Sequence, residues 1–189
     1  MPLLEGEKVR LRAVEQEDLK EIFGWQNDPE SSGEYESPEP EDWLAFEERM
    51  KQQAQARVSG SDKSAYFIIE VRATDARKSD RRRIGRISYR FPIRVSDSLV
   101  EISYRIAKPD ERGKGYASEA VKLLVEFLFV TRSVNRIQVH VIVDNSASVR
   151  VLEKNGFQRE GIMREMLFGR GSFQDHYLYA ILRRDWKKS

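Results

Sequence analysis

Apolar residues follow two different spacings along this chain, and the change between them limits the folds it can adopt. In 8–14 (KVRLRAV) and 99–106 (LVEISYRI), apolar and polar residues alternate, as in half-buried strands. From Tyr116 onward, apolar residues recur every three or four positions, as on one face of a helix. The spacing predicts strands near 8–14, 65–71, 84–91, 99–106, 136–144, 157–168 and 175–183, and helices near 15–28, 41–57 (headed by Pro40), 116–128 and 146–155.

This order of elements, β α α β β β α β α β β, predicts an α+β protein in which helices flank a mixed central sheet. The chain has 189 residues, which is the size of one domain with a substantial core. No linker or internal repeat divides it, so we expect residues 1–189 to form a single domain.

The composition excludes several kinds of site. The chain has no cysteine, which excludes a disulfide scaffold and a thiolate nucleophile. It has two histidines, His140 and His176, and so few histidines argue against a metal site. The amino terminus becomes charged by residue 5, and the longest apolar stretch, 123–130, is too short to span a bilayer. We therefore expect a cytoplasmic protein without a membrane partner.

The net charge of +2 conceals two oppositely charged blocks. Residues 28–48 hold nine acids and no base, whereas residues 72–94 hold nine bases and two acids. Such blocks steer charged partners or form solvated faces. A nucleic-acid partner has weak support, because only Tyr89 and Phe91 interleave the bases and no recognition motif accompanies them.

Two glycines near residue 114 form a turn between a predicted strand and a predicted helix. In ERGKGYASEA (111–120), Gly113 and Gly115 bracket Lys114 directly before the helix. Glycine lets backbone N–H groups face a ligand, and a helix N-terminus favours an anion such as a pyrophosphate. The sequence lacks the Gly-Lys-Ser/Thr ending of a P-loop and the third glycine of a dinucleotide fingerprint. A turn that only connects the two elements is the alternative.

The chain resembles the GNAT superfamily of acetyl-CoA-dependent N-acetyltransferases. Arg112-x-x-Gly115-x-Ala117 is similar to the superfamily's Q/R-x-x-G-x-G/A signature, and VDNSASVRVLEKNGF (143–157) is similar to its N-x-x-S-x-x-L/V-x-E-K-x-G-F segment. The opening (9–30) and the tail (156–182) resemble the branch that acetylates the amino termini of ribosomal proteins on serine or alanine. The resemblance covers about residues 8–183.

The resemblance implies a single-domain GNAT-like fold, with a mostly antiparallel central sheet, one splayed parallel pair of strands and helices on both faces. It also implies acetyl-CoA as cosubstrate, with no metal. In the implied arrangement, backbone groups at the end of the strand before the turn hold the pantetheine arm, and backbone amides of the turn hold the diphosphate. The residues implied in cofactor binding are Tyr104, Arg105, Ile106, Arg112, Gly113, Lys114, Gly115, Tyr116, Ala117, Asn145 and Ser148.

The resemblance also suggests catalytic residues. Ser148 is the expected acid for the leaving thiolate, with capping of a helix as its alternative role. Glu160 matches the acid of the ribosomal branch, and Glu101 lies on the central strand, so either is a candidate general base or an ordinary surface glutamate. Asn145 either contacts the pantetheine arm or forms a turn. Tyr104 and Tyr116 are expected to line the cofactor.

The expected acceptor is a primary amine on a protein N-terminus or on a small cationic molecule such as a polyamine or an aminoglycoside. The acidic block at 27–42 would attract such a cation. A module that binds acyl-CoA without turnover is the alternative from a different class. Dimers are common among similar proteins, so a homodimer is one candidate assembly, and the sequence leaves the oligomeric state open.

Overall fold

A computed structural model describes residues 3–32, 41–58, 64–72, 82–92, 98–169 and 171–186. Its eight strands are β1 (Leu4–Glu5), β2 (Val9–Ala13), β3 (Ser64–Val71), β4 (Arg83–Arg90), β5 (Leu99–Ile106), β6 (Arg136–Ile142), β7 (Gln158–Gly169) and β8 (Ser172–Leu182). Its helices are α1 (Leu19–Asn27), α2 (Pro29–Ser32), α3 (Trp43–Val58), α4 (Tyr116–Thr131) and α5 (Ser146–Lys154).

Every predicted strand and helix is present, with differences at the ends. The sequence did not predict β1 or α2, since two and four residues are too few to show a period. The first predicted helix opens with a 3-10 turn before α1, because Asp18 closes a capping box with Glu15. Asp42 caps α3 by accepting hydrogen bonds from the amides of Leu44 (2.9 Å) and Ala45 (3.0 Å), while Pro40 lies outside the described residues.

The strands form one sheet in the order β1-β2-β3-β4-β5-β6-β8-β7. Among the described strands only β5 and β6 pair in parallel, which confirms the mixed sheet. α4 makes the crossover between them, as parallel neighbours require. One face of the sheet packs against α4 and α5 in the larger core, and residues of α1 and α3 pack on the other face around Ile68.

The parallel pair separates part-way along its length. Its register runs from Leu99 opposite Arg136 to Glu101 opposite Gln138, and it ends there. β5 nevertheless continues to Ile106 and β6 to Ile142. Beyond this point the described residues of β5 and β6 do not pair with each other, so the sheet has a gap that opens toward the start of α4.

A buried ion network anchors α1 to the sheet. Asp18 is fully buried and accepts hydrogen bonds from Arg12 (2.6 and 2.7 Å) and Arg83 (2.8 Å). Burial opposes its ionisation, but these bonds and the Glu15 amide outweigh that effect and lower the pKa of Asp18. Arg83 also contacts Glu21 at 2.8 Å. One arginine of the basic block thus serves the fold.

Candidate active site

The turn before α4 presents a row of backbone amides at the open end of the gap. Gly113 and Gly115 have φ values of 76° and 85°, in the left-handed region, and Gly115 is the N-cap of α4. In the described part of the chain, the N–H groups of residues 113–118 donate to no acceptor. Six consecutive donors at a helix N-terminus can surround an anion.

The charged side chains of this turn point to other partners. Arg112 donates to the carbonyls of Ile106 (3.1 Å), Glu30 (2.7 Å) and Ser31 (3.1 Å), so it ties the end of β5 to α2. Lys114 pairs with the buried carboxylate of Glu111 at 2.9 Å. Their side chains therefore stabilise the turn, and the donors left without an acceptor in the described residues are its backbone amides.

Lys8 is a cation near the turn that was not predicted from the sequence. Its Nζ donates to the Lys114 carbonyl at 3.3 Å, and a Cβ added to Gly115 would lie 3.3 Å from the same nitrogen. Glu119, in the first turn of α4, accepts hydrogen bonds from the amides of Glu7 (2.6 Å), Lys8 (2.8 Å) and Val9 (3.0 Å). These long-range contacts hold β2 against the turn.

Residues predicted to hold the pantetheine arm lie on both sides of the gap. Tyr104, Arg105 and Ile106 occupy the part of β5 beyond its pairing with β6. Asn145 caps α5, because its side-chain oxygen accepts a hydrogen bond from the Ser148 amide at 2.9 Å. The turn role of Asn145 is thus confirmed.

Ser148 and Tyr104 form a hydroxyl pair across this region. The two oxygens are 2.6 Å apart, and either can donate. Burial raises the pKa of Tyr104 to about 12, against the smaller effect of the Ser148 hydrogen bond. The phenol is therefore protonated at neutral pH. Both residues were candidates from the sequence, but their contact was not predicted from it.

Glu101 lies at the last paired position of the parallel strands. It accepts hydrogen bonds from Gln138 on β6 (3.0 Å) and Arg90 on β4 (2.8 Å). Burial alone would raise its pKa, but these bonds and the charges of Arg90 and His140 outweigh burial and lower the pKa of Glu101. The carboxylate stays ionised and has two partners.

Glu160 lies on the edge strand β7, at a bulge between Arg159 and Gly161. It forms a two-point ion pair with Arg136, at 2.8 and 2.6 Å. The hydrogen bonds from Arg136 lower the pKa of Glu160. Its role as general base stays a prediction, and this ion pair weakens it as a proton acceptor.

His140 lies on β6, two residues beyond the end of the parallel pairing. It was not among the site residues predicted from the sequence. Its side chain is partly buried, and burial lowers its pKa. The imidazole is therefore mostly neutral at pH 7.

Comparison with known proteins identifies the family. A sequence model of the Acetyltransferase (GNAT) domain matches residues 8–158. The chain belongs to the GNAT family of acetyltransferases. It is 31% identical over 186 residues to a probable N-acetyltransferase, YjcK, of Bacillus subtilis strain 168. The aligned region covers 97% of this chain and 98% of that relative.

Solved structures of GNAT proteins share this fold. A ribosomal-protein-S5-alanine acetyltransferase from Vibrio fischeri superposes with a TM-score of 0.80 at 22% identity over 100% of both chains. Spermidine N-acetyltransferase from Vibrio cholerae, in complex with CoA and spermine, superposes with a TM-score of 0.76 at 24% identity, over 94% of this chain and 96% of that one. The GNAT fold and the N-acetyltransferase class predicted from the sequence are both confirmed.

Two further properties concern the described residues alone. No helix among them is long and apolar enough to cross a membrane. No group of three or more histidines, aspartates and glutamates among them is arranged to hold a metal ion. Half of the acidic block at 27–42 that was expected to attract the acceptor, residues 33–40, lies outside the described part of the chain.

Proposed function

We propose that this GNAT protein transfers the acetyl group of acetyl-CoA to a primary amine, by direct attack in a ternary complex. The observation that carries the proposal is the row of six backbone amides at residues 113–118, placed at the open end of the gap between β5 and β6. A diphosphate needs such a set of donors, and a thioester arm needs a channel that leads away from it.

The residues present fit acetyl-CoA. Amides 113–118 would hold the diphosphate, while backbone groups of Tyr104, Arg105 and Ile106, on the part of β5 beyond its pairing with β6, would bind the pantetheine amides. Asn145 uses its side-chain oxygen to cap α5, and within the described residues its amide nitrogen has no acceptor. That nitrogen is therefore able to donate to the arm while the cap stays formed.

The hydroxyl pair supplies the acid for the reaction. As the amine nitrogen bonds to the acetyl carbon and the carbon–sulfur bond breaks, the Tyr104–Ser148 pair donates a proton to the departing thiolate. Both hydroxyls are protonated at neutral pH, because burial keeps the phenol pKa high. A backbone N–H of β5 that faces the gap would stabilise the oxyanion.

Two acceptor classes are supported by similar proteins. The Vibrio fischeri protein is named for an alanine of ribosomal protein S5, and the Vibrio cholerae protein for spermidine. For this chain the proposed acceptor is accordingly a protein N-terminus or a small amine. An aminoglycoside belongs to the same chemical class.

Release of free thiol from acetyl-CoA tests this function. Purified full-length protein is incubated with acetyl-CoA and a panel of peptides with free N-termini, polyamines and aminoglycosides. We expect thiol release that depends on one class of amine, together with acetylated product of matching mass. Tight acetyl-CoA binding with no amine-dependent release across the panel would instead favour a module that binds acyl-CoA without turnover.

A further inference from the structure

The proposed reaction needs a base, and the two carboxylates expected to provide it are engaged elsewhere. Most amines are protonated at pH 7, so a group near the thioester must take a proton before attack. Glu160 is bound at two points by Arg136, and Glu101 is bound by Arg90 and Gln138. Lowered pKa values make both poor acceptors.

His140 is positioned for this step. Val139 and Val141 point into the core beneath α4 and α5, so strand alternation places His140 on the opposite face, which also carries Glu101. It lies just beyond the point where β5 and β6 separate. Within the described residues His140 makes no hydrogen bond or ion pair, so its ring is available to a ligand.

The charges around His140 come from three strands. Glu101 on β5 favours the protonated ring, whereas His176 on β8 and Arg90 on β4 oppose it. Burial is the largest influence, and it favours the neutral ring. A neutral imidazole beside a carboxylate can accept a proton and share the resulting charge with it.

We propose that His140 is the catalytic base, a role that rests on the acetyl transfer proposed above. The acceptor ammonium gives one proton to His140, directly or through a water. The neutral nitrogen then bonds to the acetyl carbon, and the carbon–sulfur bond breaks. The hydroxyl pair protonates the departing thiolate, and the attacking nitrogen then gives its second proton to that pair and so restores it. His140 finally releases its proton to solvent.

His140→Gln tests the assignment with acetyl-CoA and an acceptor from the panel. We expect kcat/KM at pH 7 to fall by about 10²- to 10⁴-fold, because the amide side chain cannot take a proton. Activity should recover as pH approaches the pKa of the amine, and the acidic limb of the wild-type profile should disappear. Acetyl-CoA affinity, measured by calorimetry, should stay within about twofold.

The matched comparison is Glu160→Gln, which removes the other candidate base. We expect a smaller loss with the wild-type pH profile retained. If His140→Gln keeps the acidic limb and most of its activity while Glu160→Gln loses both, the assignment to His140 is wrong. Absence of turnover by the wild-type protein with every amine would contradict both the assignment and the proposed function. Retained activity in His140→Gln would contradict only the assignment and would leave acetyl transfer intact.

A second, independent observation concerns arginines on the same face. Arg86 on β4 lies directly opposite Arg105 on β5. Like charges at opposed positions destabilise a sheet, and burial lowers the pKa of both guanidinium groups. Arg49 on α3 also lies near Arg86, but its own charge is balanced by Glu41 at 2.7 Å. Within the described residues Arg86 makes no hydrogen bond or ion pair, so its charge lacks a counter-ion.

A polar strip joins these arginines to the reaction centre. Ser88 and Ser103 form the next opposed pair along β4 and β5, and Arg90 and Glu101 form the one after it. Ser103 is exposed, so solvent reaches the strip. Successive same-face pairs are about 7 Å apart along a strand. An acceptor whose amine lies near Glu101 and His140 would therefore extend over the serines toward Arg86.

The geometry points to an acceptor that carries a carboxylate within about 7–14 Å of its reactive amine. A peptide N-terminus followed by an acidic residue has this chemistry, and a polyamine does not. The inference rests on the proposed acetyl-transfer site and names the class of its acceptor.

Binding to the CoA-loaded protein tests this preference without requiring turnover. Two peptides, identical except for Asp or Lys at the second position, are compared by calorimetry. We expect the Asp peptide to bind at least tenfold more tightly, and Arg86→Gln to remove that preference. Arg184→Gln, at a side chain 81% exposed, is the matched control and should retain it. Equal or tighter binding of the Lys peptide to the wild-type protein would overturn the inference.

Discussion

Gly115→Val is expected to weaken acetyl-CoA binding by at least about 100-fold, which corresponds to about 2.7 kcal/mol. Gly115 has a φ of 85°, which a β-branched residue adopts only with strain. Its added Cβ would also lie 3.3 Å from Lys8 Nζ, within the row of amides that faces the anion. The Lys8 side chain can move away from this contact, but relief of the backbone strain turns the amides at the start of α4 away from the diphosphate. Calorimetric titration with acetyl-CoA measures the loss.

Gly171→Val is the control that separates the effect of backbone strain from the effect of a lost contact with acetyl-CoA. Gly171 has a φ of 79°, and a Cβ there would meet nothing within 4 Å. It lies just before β8, in the connection from β7. We expect both variants to lower the melting temperature and only Gly115→Val to lose affinity. Equal affinities in the two variants would mean that the turn does not bind the cosubstrate.

Removal of either hydroxyl of the Tyr104–Ser148 pair is expected to lower kcat by about 10- to 1,000-fold, in the range of general-acid contributions. The two oxygens are 2.6 Å apart, so each orients the other. Because they act as one unit, Tyr104→Phe combined with Ser148→Ala should cost little more than either change alone. Steady-state kinetics with a saturating acceptor give kcat.

Tyr177→Phe provides the control for the loss of a phenol, since Tyr177 lies on β8 and packs at the margin of the larger core. Its kcat should match that of the wild-type protein. If Tyr104→Phe and Ser148→Ala also keep kcat within about twofold, the pair only supports packing between β5 and α5, and the thiolate takes its proton from another source.

The elements around the site were predictable because their signals are local. The alternation in 99–106 and the helical period after Tyr116 flank the two glycines, and α4 begins at Tyr116 as predicted. The positive φ of Gly113 and Gly115 follows from the tight connection between the elements. The separation of β5 from β6 has no such local signal, and only the family resemblance suggested it.

The partners of the charged residues were not predictable, because they come from distant strands. Glu101 meets Arg90 and Gln138 through strand register, and Glu160 reaches Arg136 through a bulge in β7. Sequence spacing records neither register nor bulge. The resemblance identified two carboxylates as candidate bases, and the sheet shows that each has an ion-pair partner.

Observation of the backbone amides during cosubstrate binding tests the central claim most directly. Acetyl-CoA is titrated into the isotopically labelled full-length protein while the amide resonances of residues 113–118 are followed by NMR, with calorimetry in parallel. The account predicts saturable heat and large shifts of these six resonances, with smaller shifts in β1 and β7. Absence of heat, or saturable binding that leaves these resonances unmoved, would contradict it.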